Sequence, residues 1–181
     1  MSAGPTTINC HGTAPTHELT LLAPAFEAAV RAAIEECNAP HNALSAIVYE
    51  TYRSNELQEI YYARGRTVRP PPTPVTNASN NLYSWHGYGL AVDVIHATQG
   101  WSPERHGWFN AVAEIFKRHG CKWGGDWTSP DPPHFQWGRC KPSPSDLARE
   151  LLRTQGIEAV WAAVGAASAP EAVVGDALPP G

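Results

Sequence analysis

The chain has 181 residues, 43% of them hydrophobic, with 17 acidic side chains against 13 basic ones and a formal charge of −4. That apolar content suffices for one domain with a real core, and the negative charge speaks against a nucleic-acid partner and against simple electrostatic adhesion to an anionic envelope. No run of about 18 apolar residues occurs, so no membrane span is expected, and Met1–Pro15 lacks a basic-then-apolar leader, which predicts synthesis in the cytoplasm without a secretory signal.

Residues 1–19 read as an irregular lead-in. Leu22, Phe26, Val30 and Ile34 then recur every four residues beside Ala29, Ala33 and Cys37, the stripe of an amphipathic helix with Pro24 in its first turn. The polar stretch 38–42 breaks it. Ser45–Tyr52, rich in β-branched and aromatic residues, predicts a strand with Arg53 at its end. Ser54 caps a helix reaching about Ala63 and stopped by Gly65. Residues 68–83, rich in proline and asparagine, form a long loop of the kind that often carries function.

Gly87 and Gly89 give the chain freedom to turn. Leu90–Ile95 then alternates as a strand, with Leu90, Val92 and Val94 on one face and Ala91, Asp93 and Ile95 on the other, half-buried one. Ser102-Pro103 predicts the start of a helix with the stripe Trp108, Val112, Ile115 and Phe116, ended by Gly120. Lys122–Trp127 and Phe135–Trp137 read as short strands. Ser143-Pro144 opens a helix through Leu147, Leu151 and Leu152 to Gly156, and Ile157, Val160, Trp161 and Val164 mark another. Residues 166–181, rich in Ala, Pro and Gly, predict a disordered tail. The reading is a single domain over 20–165 of the α+β class, a small, largely antiparallel sheet flanked by helices.

Two stretches carry the chemistry: Ser84-Trp85-His86-Gly87-Tyr88-Gly89-Leu90-Ala91-Val92-Asp93 and Asp131-Pro132-Pro133-His134-Phe135-Gln136-Trp137. They offer two imidazoles and a carboxylate as ligands, plus a spare carboxylate, the inventory of a catalytic zinc site with one position left for water. A strand-borne Asp93 needs a cation or donors to make its burial tolerable. His86, Asp93 and His134 are therefore expected to hold one zinc ion in a cleft on the sheet. Asp131, held near His134 by two stiff prolines, is placed to act as base toward a water of lowered pKa. Arg53 is the cation expected to face the oxyanion.

Other readings stand beside these. Asp126 competes with Asp131 as base, and Arg53 has a structural ion-pair reading. His11, His17, His41 and His119 read as ordinary surface or core histidines, and nothing pairs His96 or His106 with a carboxylate at ligand spacing. Trp85, Trp123, Trp127 and Trp137 cluster around both motifs, which fits a cleft with apolar walls. Cys10, Cys37, Cys121 and Cys140 form no C-x-x-C pair, so reduced thiols are expected, with a Cys121–Cys140 bridge left open.

Further motifs stand in line with these: Tyr52-Arg53-Ser54, Gln58, Tyr62-Ala63-Arg64-Gly65-Arg66-Thr67, Val75-Thr76-Asn77-Ala78, Ser84-x-His86-x-x-Gly89-x-Ala91-x-Asp93, Trp123-Gly124-Gly125-Asp126-Trp127 and Asp131-x-Pro133-His134-Phe135. The run from Tyr52 to Trp137 resembles the zinc peptidases of peptidoglycan stems, the D-alanyl-D-alanine carboxypeptidase and L-alanyl-D-glutamate endopeptidase superfamily. The resemblance implies His86, Asp93 and His134 as zinc ligands, Asp131 as base and Arg53 as transition-state stabiliser. It also implies Ser84 and Gln58 as substrate or neighbouring contacts, and Trp127 is expected on the substrate path with them.

The carboxypeptidases of that superfamily usually carry a glutamate before the last histidine. Asp-x-Pro-His-Phe is similar to the endolysin branch that cuts between L-alanine and D-glutamate, an enzyme that accumulates in the cytoplasm and reaches the wall after release or export. We therefore expect a monomeric endopeptidase of peptidoglycan stem peptides. The alternatives are the D-alanyl-D-alanine carboxypeptidase, a non-catalytic zinc-containing wall-binding module, and an iron(II) oxygenase built on the same two histidines and one carboxylate.

Overall fold

The structure, a computed structural model, describes residues 12–169. Cys10, His11 and the segment 170–181, most of the tail expected to be disordered, lie outside the described residues. Within them the elements run α1 (Pro24–Asn38), β1 (Ala46–Glu50), α2 (Asn55–Ala63), β2 (Ala91–His96), α3 (Trp108–Arg118), β3 (Cys121–Trp123), β4 (His134–Trp137), α4 (Asp146–Gln155) and α5 (Ile157–Ala163). The strands form one sheet in the order β1-β2-β4-β3, and every pairing is antiparallel. This is the α+β arrangement expected from the sequence.

The helices begin where local chemistry allows. Pro24 occupies the first turn of α1, where its missing N–H costs nothing. Ser54 caps α2, its Oγ accepting from Leu57 N at 3.1 Å. Ser145 does the same for α4 toward Ala148 N, so that helix starts after Ser143-Pro144 rather than at it. The stripe Phe26, Val30, Ala33 and Cys37 of α1 is fully buried. It packs on α3 and on β1, and Phe116 of α3 stacks on Phe135 of β4 at 4.3 Å between ring centroids. Burying such a side chain contributes roughly 1.5–3 kcal/mol, so this face of the sheet is the core. The opposite face, bearing Asp93 and His134, is left for the site.

Three expectations shift. The third helix starts at Trp108, not at Ser102-Pro103: residues 101–107 fold as turns and bends, and Gly107 at φ +72° stands at its N-cap. The strand expected over Lys122–Trp127 ends at Trp123 and gives way to a 3-10 turn, Gly124–Asp126. A Cβ on Gly124 would lie 2.5 Å from the carbonyl oxygen of Asp131, so the strand gives up regularity where the Asp131 turn crosses it. Finally, β2 is buried on both faces from Ala91 to Ile95 rather than half-buried, because β1 and β4 flank it and irregular segments cover its second face.

Tryptophans tie those irregular segments down. Five of the seven indoles donate to backbone carbonyls: Trp85 to Lys141 (2.7 Å), Trp108 to Leu44 (2.8 Å), Trp123 to Pro132 (2.7 Å), Trp137 to Val164 (2.8 Å) and Trp161 to Tyr88 (2.7 Å). Each gives a loop or helix-end carbonyl the partner that burial demands.

Candidate metal centre

The antiparallel register does most of the positioning. Asp93 in β2 stands directly across from His134 in β4, and on its other side from Glu50 in β1. Facing Cβ atoms in such a pair are about 4.5–5.5 Å apart, close enough for both side chains to reach one point. His86 arrives from the preceding 3-10 turn, Trp85–Tyr88, which ends at Gly89 in the left-handed region (φ +63°). A Cβ there would fall 2.4 Å from Leu21 O, so only glycine permits this return of the chain. The ligand-type atoms of His86, Asp93 and His134 all lie within 4.8 Å of one another.

Each of the three side chains has its outward atom held. His86 Nδ1 lies 2.8 Å from the carbonyl oxygen of Thr51. A carbonyl only accepts, so Nδ1 carries the proton and Nε2 presents a lone pair inward. Asp93 Oδ2 accepts from Arg53 Nη2 at 3.2 Å. This leaves Oδ1 3.4 Å from His86 Nε2 and 3.5 Å from His134 Nδ1. On the far side of the His134 ring, Nε2 is 3.2 Å from Gln136 Oε1. The Gln136 amide is itself oriented, since its Nε2 donates to Lys141 O at 2.8 Å. Three electron-pair donors (Nε2, Oδ1 and Nδ1) therefore converge.

Arg53 and Gln58 form the wall behind Asp93. The Arg53 guanidinium donates to Glu50 Oε2 from Nη2 (2.5 Å) and Nε (3.1 Å), to Gln58 Oε1 from Nη1 (3.0 Å) and to Asp93. Four of its five N–H groups are thus used, and one on Nη1 is left. Burial acts to lower its pKa, but the bond to Glu50 and the charges of Asp93 and Glu50 outweigh it and hold the pKa above the ordinary value. Gln58 is fully buried, its Nε2 donating to Ala78 O at 2.8 Å, so it links Arg53 to the loop after α2.

Asp131 sits at the rim. It is exposed as a residue, yet protein crowds its carboxyl group, and this crowding, with the Asp93 charge second, pushes its pKa up against the pull of His134, His86 and Arg53. Its backbone is pinned by Asp131 N donating to Gly124 O (2.9 Å) and by Asp131 O accepting from His134 N (3.1 Å). Trp127 walls the cleft, its ring 5.0 Å from that of His134, and Ser84 is half-buried just before the His86 turn. Asp126, the competing base, is instead engaged by Lys117 at 2.8 Å. His119 pairs with Glu36 and His17 lies edge-on to Tyr49, away from the cluster. Cys37, Cys121 and Cys140 are free and buried.

These residues fit a divalent cation. His86 Nε2 and Glu50 Oε1 are the buried side-chain polar atoms without a hydrogen-bond partner among the described residues. Such an orphan is costly unless something binds it. Three carboxylates (Glu50, Asp93 and Asp131) also face a single guanidinium, an imbalance that a dication relieves. Burial would raise the Asp93 pKa, but the His86 and His134 imidazoles in their charged forms and the Arg53 guanidinium outweigh it and hold it well below the usual range, so the carboxyl is ionised before any metal binds. Two nitrogens and one carboxylate oxygen match the three-ligand pattern of catalytic zinc. Thr51, Gln136 and Lys141 carry no ligand-type spacing, so the sequence did not single them out.

The family described as D-alanyl-D-alanine carboxypeptidase matches residues 77–137. That stretch contains His86, Asp93, Asp131 and His134, while Arg53 and Gln58 precede it. The chain is 34% identical over 109 residues to the peptidoglycan L-alanyl-D-glutamate endopeptidase CwlK of Bacillus subtilis (strain 168), covering 54% of this chain and 64% of that protein. Among solved structures it is similar to the Serratia marcescens L-Ala D-Glu endopeptidase ChiX, with 22% identity, TM-score 0.49, and 72% of this chain and 95% of that one covered. It is also similar to a mutant of the vancomycin resistance D,D-pentapeptidase VanY from a VanB-type cassette, in complex with Zn(II), with 19% identity, TM-score 0.44, and coverage of 75% and 80%. The superfamily resemblance carried by the motifs is borne out.

Proposed function

We propose that this chain is a zinc-dependent peptidase that hydrolyses peptidoglycan stem peptides, cutting between L-alanine and D-glutamate. The observation that carries the reading is the convergence of His86 Nε2, Asp93 Oδ1 and His134 Nδ1 with a carboxylate at the rim. The similarity to CwlK, named for that bond, supports the choice of substrate.

His86, Asp93 and His134 would hold one zinc ion. When bound, the ion supplies Lewis acidity, polarising the scissile carbonyl and drawing the pKa of water toward neutrality. Asp131 takes the proton of the attacking water onto a carboxylate oxygen and delivers it to the leaving amine nitrogen, a transfer that contributes about 10²–10⁴-fold in rate. Arg53 holds Asp93 Oδ2, and its remaining Nη1–H is the positive partner for the oxygen on which charge develops. Gln58 keeps the guanidinium in place. Ser84 and Trp127 line the path of the peptide. The enzyme acts as a monomer on the cell wall, and no described helix is long and apolar enough to cross a membrane.

A second reading, the D-alanyl-D-alanine carboxypeptidase, is supported by the description of the matching family. Mass spectrometry of purified peptidoglycan after digestion separates the two. New N-terminal D-glutamate is the expected product, and free D-alanine would replace the first reading by the second. No new fragment at all, from protein with zinc retained, would leave the non-catalytic wall-binding module.

A further inference from the structure

The outward atoms of the three ligands are held by three different means, and one of them is a side chain that the proposed chemistry does not use. Gln136 is fully buried, on the same face of β4 as His134 and opposite the small Ala91 of β2. A buried amide with both ends fixed is costly to keep merely as filler, since each polar atom needs its own partner. Here both have one: Nε2 donates to Lys141 O and Oε1 faces His134 Nε2. Lys141 O cannot donate, so the amide cannot turn over and present its NH2 to the imidazole without losing that bond.

We infer that Gln136 is a positioning residue that selects the tautomer of His134. Two acceptors flank the ring, Gln136 Oε1 3.2 Å from Nε2 and Asp93 Oδ1 3.5 Å from Nδ1; the nearer one, fixed by Lys141 O, takes the imidazole proton, which leaves the Nδ1 lone pair pointing at the convergence point before any metal arrives. His134 has no backbone carbonyl in this role, unlike His86 with Thr51, so its preorganisation rests on one side chain. Partners of this kind are typically worth about 10–100-fold in metal affinity. The inference rests on the metal-site reading and not on the identity of the substrate.

The test uses the full chain, metal-free, at a pH above the ordinary imidazole range. Long-range proton–nitrogen NMR reports which nitrogen of each histidine is protonated, and competition titration with Zn2+ alone reports affinity. In the wild type His134 is expected as the Nε2–H tautomer and His86 as Nδ1–H. In Gln136→Leu, His134 should become a tautomer mixture while His86 stays unchanged, and zinc affinity should fall by about 10–100-fold. A general loss of structure would disturb both histidines, so the selective change marks positioning. Wild-type His134 protonated at Nδ1 would overturn the inference whether or not the variant folds. So would a Gln136→Leu protein that keeps the tautomer and the affinity. A wild type that binds no zinc would instead remove the metal-site reading itself.

Discussion

Trp85 and Gln136 donate to the same acceptor, the backbone carbonyl of Lys141, at 2.7 and 2.8 Å. One residue precedes His86 in the chain and the other is bonded to His134, so a single carbonyl ties together the two segments that bring the imidazoles to Asp93. The site is therefore closed by a residue outside both motifs.

Removal of a ligand should remove the metal. His86→Ala and Asp93→Asn are each expected to purify with less than a tenth of the wild-type zinc, measured by elemental analysis. Exhaustive chelation of the wild type should abolish wall digestion, and zinc should restore it. Undiminished digestion after chelation would end the metallopeptidase reading.

Asp131 is proposed to move protons without binding the ion. Asp131→Asn should therefore keep zinc and lose about 10²–10⁴-fold in kcat. Lost zinc in this variant would place Asp131 among the ligands instead.

The acid limb of the activity profile follows from the direction of the Asp131 shift. Crowding and the Asp93 charge raise its pKa above the ordinary carboxylate value in the metal-free protein. A base works only when unprotonated, so activity falls as pH drops through the folded pKa. A dication beside it acts in the opposite direction. Carbon NMR of the Asp131 carboxyl should show titration above the ordinary aspartate range without metal and a downward move on zinc addition. Full activity at about pH 4 would contradict this role.

Gly89→Ala tests the turn that delivers His86. The left-handed backbone alone costs about 1–2 kcal/mol for a residue with a Cβ, and the contact with Leu21 O adds to it. Denaturant unfolding should show a loss of about 2 kcal/mol or more, with reduced zinc binding. An unchanged midpoint would show that the turn has another way to close.

The buried thiols should be inert in the native protein. Burial pushes Cys37, Cys121 and Cys140 each up to about 12, so almost no thiolate exists at pH 8. Alkylation followed by peptide mapping should leave all three unmodified until denaturant is added. Rapid native labelling of any of them would point to local opening there.

Much of this site was legible because its donors are side chains with characteristic spacing. His86, Asp93, Asp131 and His134 could be read from the motifs, and strand alternation placed Asp93 beside Ala91. The supporting shell was not legible, since Thr51 and Lys141 act through carbonyls that every residue possesses, and Gln136 shows no ligand pattern. The start of α3 was not legible because Ser102-Pro103 is a good local cap, overridden by the turns that end at Gly107. The strand from Cys121 is shorter than its sequence suggests because Gly124 yields to the crossing Asp131 segment, a contact made seven residues later.

The indole bonds have an experimental consequence. Trp85 and Trp123 are buried and each is anchored to a loop carbonyl, of Lys141 and of Pro132, so detachment of those loops changes the surroundings of both rings without melting a helix. Gentle denaturation should redden the fluorescence while the far-ultraviolet dichroism is still native, and the gap between those two curves would measure how readily the cleft comes unlaced in an otherwise folded molecule.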